Sequence, residues 1–323
     1  MNYQEAMTYL YDKLPMFQRV GAKAIKKDLT NTQAFLEELD NPHKAFPSLH
    51  VAGTNGKGSV THMLAAVAME AGYRVGYYTS PHLLDFRERI RLNGNKIPQE
   101  TIARFVTTHQ DKIEAIQPSF FEATVSMALD YFAEQQVDLA VVETGLGGRL
   151  DSTNVLQPEV ATITNVGYDH QAMLGDTLTE IAGEKAGIIT ANSPVVIGES
   201  HPETRPVFNE KALRVGTTIT FADKQWHYEL RYSNPALRLT VAPTHGKMPE
   251  TYTCDLPGFY QIPNQLATLE TIYQLNHKGY RHGESWQISD EAIHRGLANV
   301  RGLTGLRGRW EQLADKPLVI CDI

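Results

Sequence analysis

The 323-residue chain is 42% hydrophobic and carries 30 basic against 37 acidic side chains, a net charge of −7. That composition fits a globular protein with a real core, of two domains or one large one, and no basic run or stripe marks a nucleic-acid surface. Two cysteines are too few for a disulfide framework, the N-terminus has no signal-peptide pattern, and no apolar run approaches the ~20 residues that cross a bilayer, which points to a reducing, cytoplasmic setting.

In chain order, residues 3–14 and 32–39 read as amphipathic helices, the second stopped by Asn41-Pro42. The apolar stretch 46–52 runs into GTNGKGS, Gly53 to Ser59, and then into a helical stretch at 60–70. Residues 74–78 form a short strand, 101–116 and 121–135 helices, and 139–142 a buried strand that ends at Glu143. A strand at 160–166 is followed by Gly-Tyr-Asp-His, a helix covers 178–189, and 194–197 is again strand. This alternation predicts an α/β fold with a mostly parallel sheet, helices on both faces. From 217 to 256 four runs (TTITFAD, HYELRYS, ALRLTVAP, ETYTCDL) alternate polar and apolar, predicting a small antiparallel side sheet. Helices return at 263–276 and 290–300, separated by a polar connection at 279–284, and an apolar strand at 318–322 stops with the chain.

The glycine loop carries the first chemical signal. Its glycines let the backbone turn sharply and approach a ligand. The amides opening the next helix favour an anion, Lys57 adds a point charge, and Ser59 adds a hydroxyl that can face a magnesium ion. The strict phosphate-loop pattern fails twice: Val51 stands where its first glycine belongs, and Gly58 separates Lys57 from Ser59.

Further polar residues follow strand ends, where open parallel sheets bind ligands. Ser80 follows the 74–78 strand, Glu143 its own strand, and Asp169 and His170 the 160–166 strand. An acidic side chain after an apolar strand, facing a phosphate loop, typically handles Mg²⁺. GLGGRLDSTN, Gly145 to Asn154, is a second glycine-rich loop, readable as a flexible turn or as a close approach to substrate. By composition alone Lys185, in AGEKAGI, is a solvated helix lysine and His170 a structural loop histidine.

GTNGKGS, TSPHL with FRERIRLNG, ETGLGGRLDSTN, ITNVGYDH and GEKAGI occur in that order. The set resembles folylpolyglutamate synthase, also called dihydrofolate synthase, a relative of the Mur ligases. The resemblance implies an ATP-dependent ligase that adds L-glutamate to dihydropteroate or a folyl-glutamate. The acid oxygen attacks the γ-phosphate to give an acyl phosphate, which the amine of glutamate then opens. It implies that Thr54, Asn55, Gly56, Lys57, Gly58, Ser59, Asn264, Arg309 and Asp322 meet ATP. It implies that Ser80, Glu143 and His170 are magnesium ligands, with two Mg²⁺ expected. Lys57, Lys185 and His170 are expected to take part in catalysis, Lys185 as a carbamate. Ser119, Phe120, Phe121, Glu122, Leu150 and Asp151 fall where the family holds the pterin end of its substrate, and Asp28, Leu29 and Thr30 where it carries a substrate loop.

Two departures stand out. Arg307 precedes Gly308-Arg309 where the family usually has proline, and the chain ends at Ile323, before the His-Asn that follows Asp322 in the family motif. Residues 1–300 are expected to form the ATP-binding domain with its pterin site. Residues 301–323 would be a linker and the first strand of a Rossmann-like C-terminal domain that is missing, so the chain as it stands is expected to lack much of the glutamate site. Competing expectations are a Mur-type ligase of cell-wall precursors, disfavoured because only 52 residues precede Gly53, and a non-catalytic nucleotide-binding fragment. The expected partners are small molecules, with no nucleic acid or membrane, and the expected state is a monomer.

Overall fold

The computed structural model describes residues 1–322 except 17–20, 22–27, 233–234, 245, 247 and 279–284. The polar connection expected at 279–284 lies outside the described residues. One eight-stranded sheet organises the chain, in the order β4-β3-β2-β5-β1-β6-β7-β8. Its strands are β1 (Ser48–Ala52), β2 (Val75–Tyr78), β3 (Ile90–Leu92), β4 (Asn95–Lys96), β5 (Leu139–Glu143), β6 (Val160–Ile163), β7 (Val195–Ile197) and β8 (Ile219–Phe221). β2, β5, β1, β6, β7 and β8 pair in parallel, and β3 and β4 close one edge antiparallel. The parallel strands are continuous apolar runs because both faces are covered, and every residue of β1, β2, β5, β6 and β7 is buried.

The Lys57–Glu70 helix fills the centre of one face. Ser59 to Ala68 are all buried, so it is apolar around its whole circumference. Against it pack the Gln261–Lys278 and Asp290–Ala298 helices, which in turn carry a three-stranded antiparallel sheet of β9 (Trp226–Tyr232), β10 (Leu237–Pro243) and β11 (Glu250–Cys254). The opposite face is covered by Tyr3–Lys13, Thr30–Glu38, Gln99–Thr108 and Phe120–Glu134. No helix among the described residues is long and apolar enough to cross a membrane.

Three expectations need correction. The first of the runs assigned to the side sheet, TTITFAD, instead supplies β8, a parallel edge of the main sheet. An edge strand is half-buried (Ile219 and Thr220 are intermediate), and that produces the same alternation as an antiparallel strand. The single helix expected at 101–116 is two, Gln99–Thr108 and Gln110–Ile116. They are separated by His109, whose ring packs on Phe35 and Phe105. The helix expected at 178–189 is α-helical only over Leu178–Lys185 and tightens into a 3₁₀ turn at Ala186–Ile188. The strand expected at 318–322 is present as β13 (Leu318–Cys321) and pairs antiparallel with β12 (Glu311–Asp315). The β3–β4 hairpin went unread, although Asn93-Gly94, both at positive φ, is a strong two-residue turn signal.

The Asp290–Ala298 helix approaches the central helix at Gly296. A methyl group there would lie 2.6 Å from the Cα of Val67. Gly296→Ala is therefore expected to lower the unfolding free energy by about 1–3 kcal/mol, read from urea midpoints. An unchanged midpoint would mean that the two helices separate without cost.

Candidate functional site

Parallel pairing puts the carboxyl ends of β1, β2, β5 and β6 along one edge of the sheet, and the polar residues expected to act follow from it. The glycine loop leaves β1 and is pinned to the loop after β6. Thr54 N–H donates to the Asn165 carbonyl (3.1 Å), Asn55 N–H to Asn165 Oδ1 (2.9 Å), and Thr164 Oγ1 to the Asn55 carbonyl (2.5 Å). Gly56, at φ 79°, caps the central helix, and a methyl group on it would sit 2.0 Å from Asn264 Oδ1. The position must therefore be glycine, and Asn264 is held against the loop. Lys57 Nζ folds back to donate to the carbonyls of Gly53 and Thr54, both at 3.1 Å. Ser59 is buried, and its hydroxyl accepts from Gln261 Nε2 (3.2 Å).

Glu143 closes β5 and is 3% exposed. Its carboxylate accepts from the Ser80 amide at 3.3 Å, and a side chain at Gly58 would touch both it and Arg309. Burial pushes its pKa up to about 7, against the pull of Lys57, the Ser80 amide, Arg309 and Arg89. Lys185, at the end of Leu178–Lys185, is 2% exposed. Burial, aided by repulsion from Lys57, brings its pKa down to about 7, with Asp169 pulling the other way. The solvated lysine that composition suggested is thus a buried amine facing Lys57 and Asp169. His170 sits next to Asp169 at φ 49°, with its ring partly exposed and Nε2 3.6 Å from the Asp169 carboxylate.

The second glycine loop is packed rather than loose. A methyl group on Gly148 would lie 2.9 Å from the carbonyls of Glu184 and Lys185, and Arg149 pairs with Glu184 at 2.8 Å. Asp151 is buried in that loop. It accepts from Leu146 N–H (2.8 Å), Thr153 N–H (3.0 Å) and Thr153 Oγ1 (2.6 Å), while burial pushes its pKa up. Thr153 Oγ1 donates to Asp151, so it accepts from His50 Nε2 at 2.7 Å, which fixes the tautomer of that buried ring.

The residues expected at the pterin end divide. Phe121 packs its ring where a Gly145 side chain would be, 6.2 Å from Tyr78 and close to Asp151, and Leu150 is half-buried. Ser119 and Glu122 form a capping box for Phe120–Glu134, and Phe120 lies in the core stacked on Tyr11. Those three side chains serve the helix and its packing. Asp28, Leu29 and Thr30 form the turn entering Thr30–Glu38, closed by Thr30 N–H donating to Asp28 Oδ1 (3.0 Å). Asp322 accepts from Trp310 N–H (3.1 Å) and the Tyr260 hydroxyl (3.2 Å), and Asn264 Nδ2 donates to the Tyr260 carbonyl (3.3 Å). Asn264 and Asp322 thus meet at Tyr260. Sequence reasoning passed over Tyr260, Gln261 and Arg89, whose guanidinium lies 5.7 Å from the centre of the Phe120 ring. An exposed aromatic pair, Phe259-Tyr260, at the start of a helix was the available signal.

Similarity to known proteins agrees with this geometry. A family model described as "Mur ligase middle domain" matches residues 51–272. A dihydrofolate synthase/folylpolyglutamate synthase of Bacillus subtilis is 35% identical over 99% of this chain and 72% of its own length. A probable bifunctional folylpolyglutamate synthase/dihydropteroate synthase of Haloferax volcanii is 35% identical over the whole chain, which spans 37% of that protein. Among solved structures, the folylpolyglutamate synthase of Thermotoga maritima superposes with a TM-score of 0.84 at 35% identity, covering 99% of this chain and 70% of that one. An FPGS–AMPPCP–folate complex superposes at 0.89 with 32% identity, covering 100% and 76%.

Thr153→Val would leave Asp151 and His50 each short of a partner. The expected loss of stability is about 1–3 kcal/mol, measured by chemical denaturation. A variant as stable as the parent would show that the His50–Thr153–Asp151 chain carries no energy.

Proposed function

The chain belongs to the folylpolyglutamate synthase/dihydrofolate synthase family of ATP-dependent glutamate ligases, and on that premise we propose how its residues divide the work. The substrates are ATP, L-glutamate and a pteroate or folyl-glutamate acid. A carboxylate is a poor electrophile, so its oxygen first attacks the γ-phosphorus of ATP. ADP leaves, and the acid becomes an acyl phosphate. The amine of glutamate then adds to the acyl carbon, inorganic phosphate leaves, and the nitrogen loses a proton as the amide forms.

The observation that carries this reading is the meeting of a phosphate loop with a buried carboxylate, Glu143, at the end of β5. Lys57 and the amides of Thr54 to Ser59 are placed to hold the β- and γ-phosphates. Arg309, against Gly58, adds charge stabilisation from the other side. Asn264, Tyr260 and Asp322 would meet the nucleoside end. Phe121, Leu150 and Asp151 would receive the pterin, with Asp28 to Thr30 at its margin.

The donors fit magnesium. Among the described residues no three of His, Cys, Asp and Glu come together as a metal cage, and Mg²⁺ is usually held by one or two protein groups with substrate phosphates completing its shell. Glu143 and Ser80 would hold one ion, His170 and a carbamate on Lys185 the second. Bound there, Mg²⁺ would neutralise charge developing on the transferred phosphoryl group. Burial keeps a large share of the Lys185 amine neutral near pH 7, as attack on CO₂ requires: a carbamate forms and a proton is released.

Glutamate-dependent phosphate release and product mass, with dihydropteroate as acceptor, test the ligase reading, and no such release from the protein would end it. Lys57→Ala is expected to lower turnover by about 100-fold or more, and Glu143→Ala to raise the magnesium requirement by about 10-fold or more. Turnover or a magnesium titration like the parent's would remove that residue from its role. Carbon-13 bicarbonate should yield a carbamate resonance that Lys185→Met lacks; a spectrum common to both proteins would exclude the modification.

A further inference from the structure

Arg89 closes the 3₁₀ turn Phe86–Arg89 that leads into β3. The chain around it is fixed. Glu88 accepts from the amides of Leu83 (2.8 Å) and Asp85 (3.1 Å), and Thr79 N–H donates to the Arg89 carbonyl (3.0 Å). The side chain turns inward, and the residue is 5% exposed. Its guanidinium lies 5.7 Å from the centre of the Phe120 ring and beside the Tyr78 hydroxyl, and Tyr78 in turn packs on Phe121. Arg89 therefore borders the recess assigned above to the pterin, and it is close enough to Glu143 to pull that group's pKa down.

This buried cation lacks an anion. Arg89 Nε donates to His82 Nδ1 at 2.8 Å, its one hydrogen bond among the described residues, and no described carboxylate forms an ion pair with it. Burial, and then the charge of Arg89, push the His82 pKa down. The ring is thus neutral, and because Nδ1 accepts, its proton sits on Nε2. A neutral partner leaves the charge of the guanidinium uncompensated, which burial makes costly. The two Nη groups are not hydrogen-bonded among the described residues, nor are they closed off by neighbouring atoms. The free end of the fork therefore reaches accessible space. Two Nη groups side by side match a carboxylate in two parallel N–H···O bonds, and the Phe120 ring under the guanidinium favours the charged group in place.

We propose that the two Nη groups of Arg89 bind the carboxylate of the acceptor acid, the group to be phosphorylated, and that His82 is the positioning residue that holds the fork in register. The assignment rests on the ligase reading above and adds to it the residue that recognises the reacting end of the acceptor. A pterin held at Phe121 and Asp151 leaves the acid end free to reach the phosphates. Two anions must then be brought together, and a fixed cation offsets their repulsion while it orients the attacking oxygen. The guanidinium keeps its protons throughout, because attack uses a carboxylate lone pair.

Equilibrium binding tests this. Dihydropteroate is compared with its carboxamide, which keeps the shape and loses the charge, each titrated into the protein with Mg²⁺ and a non-hydrolysable ATP analogue near neutral pH. The parent is expected to bind the acid about 10- to 100-fold more tightly than the amide. In Arg89→Met that ratio is expected to fall to about threefold or less while the amide binds as in the parent, and Arg89→Lys, which keeps the charge without the fork, to recover part of it. His82→Ala is expected to weaken acid binding by about 3- to 10-fold, and His82→Gln, whose side-chain oxygen can accept from Nε, to restore most of it. In turnover the change should fall on the KM for the acceptor, with the KM for ATP within about twofold of the parent's. If Arg89→Met does not fold, the two His82 variants decide on the same ratio. A parent that does not distinguish acid from amide, equal losses of both in folded variants, or a change confined to ATP would each overturn the assignment while leaving the ligase reading intact. A parent that binds neither acid nor amide would overturn both.

Discussion

A carboxylate that is 3% exposed does not stay ionised unless its surroundings replace the water it has lost, and Glu143 is such a group at the busiest point of the fold. Lys57 from the phosphate loop, the Ser80 amide after β2, Arg309 after Val300–Thr304 and Arg89 before β3 all act on it. These groups come from separate stretches of chain. They converge because parallel pairing of β2, β5, β1 and β6 brings the carboxyl ends of the strands into one row. The sheet is therefore the condition for the site, and Glu143 is where its electrostatics are decided.

The glycine loop depends on a second constraint, lack of space. Gly53 faces the Thr164 side chain so closely that a methyl group would lie 1.8 Å from its hydroxyl, and Gly56 faces Asn264 in the same way. The loop is clamped between the β6 loop and the Gln261–Lys278 helix, so its amides are aimed before any ligand arrives. That preorganisation is what makes fixed dipoles useful against charge that develops later. Gly58, the residue that spoils the simple phosphate-loop pattern, lies within contact distance of Glu143 and Arg309.

How much of this was legible varied with the physics involved. The central strands were readable because burial on both faces leaves an uninterrupted apolar run, as in LAVV before Glu143. The glycine loop was readable because strand, glycines, lysine and helix are all local. The break at His109 was not, because apolar periodicity continues across it and only the contacts with Phe35 and Phe105 mark the corner. The burial of Lys185 was invisible for the same reason: its surroundings come from the loop after β6 and from the phosphate loop, both distant in sequence.

Glu143 and Lys185 have opposite charges, and burial moves each toward a pKa near 7. Desolvation penalises the charged form of either, raising an acid and lowering a base. Burial thus favours the neutral form of both groups. A cation beside Glu143 would bring its pKa back down, and an anion beside an unmodified Lys185 would bring that one back up. A neighbour of opposite charge would thus re-ionise either group. Burying an acid and a base at one sheet edge makes that edge responsive to ligands of both signs, as the proposed meeting of a metal cation and a polyphosphate would require.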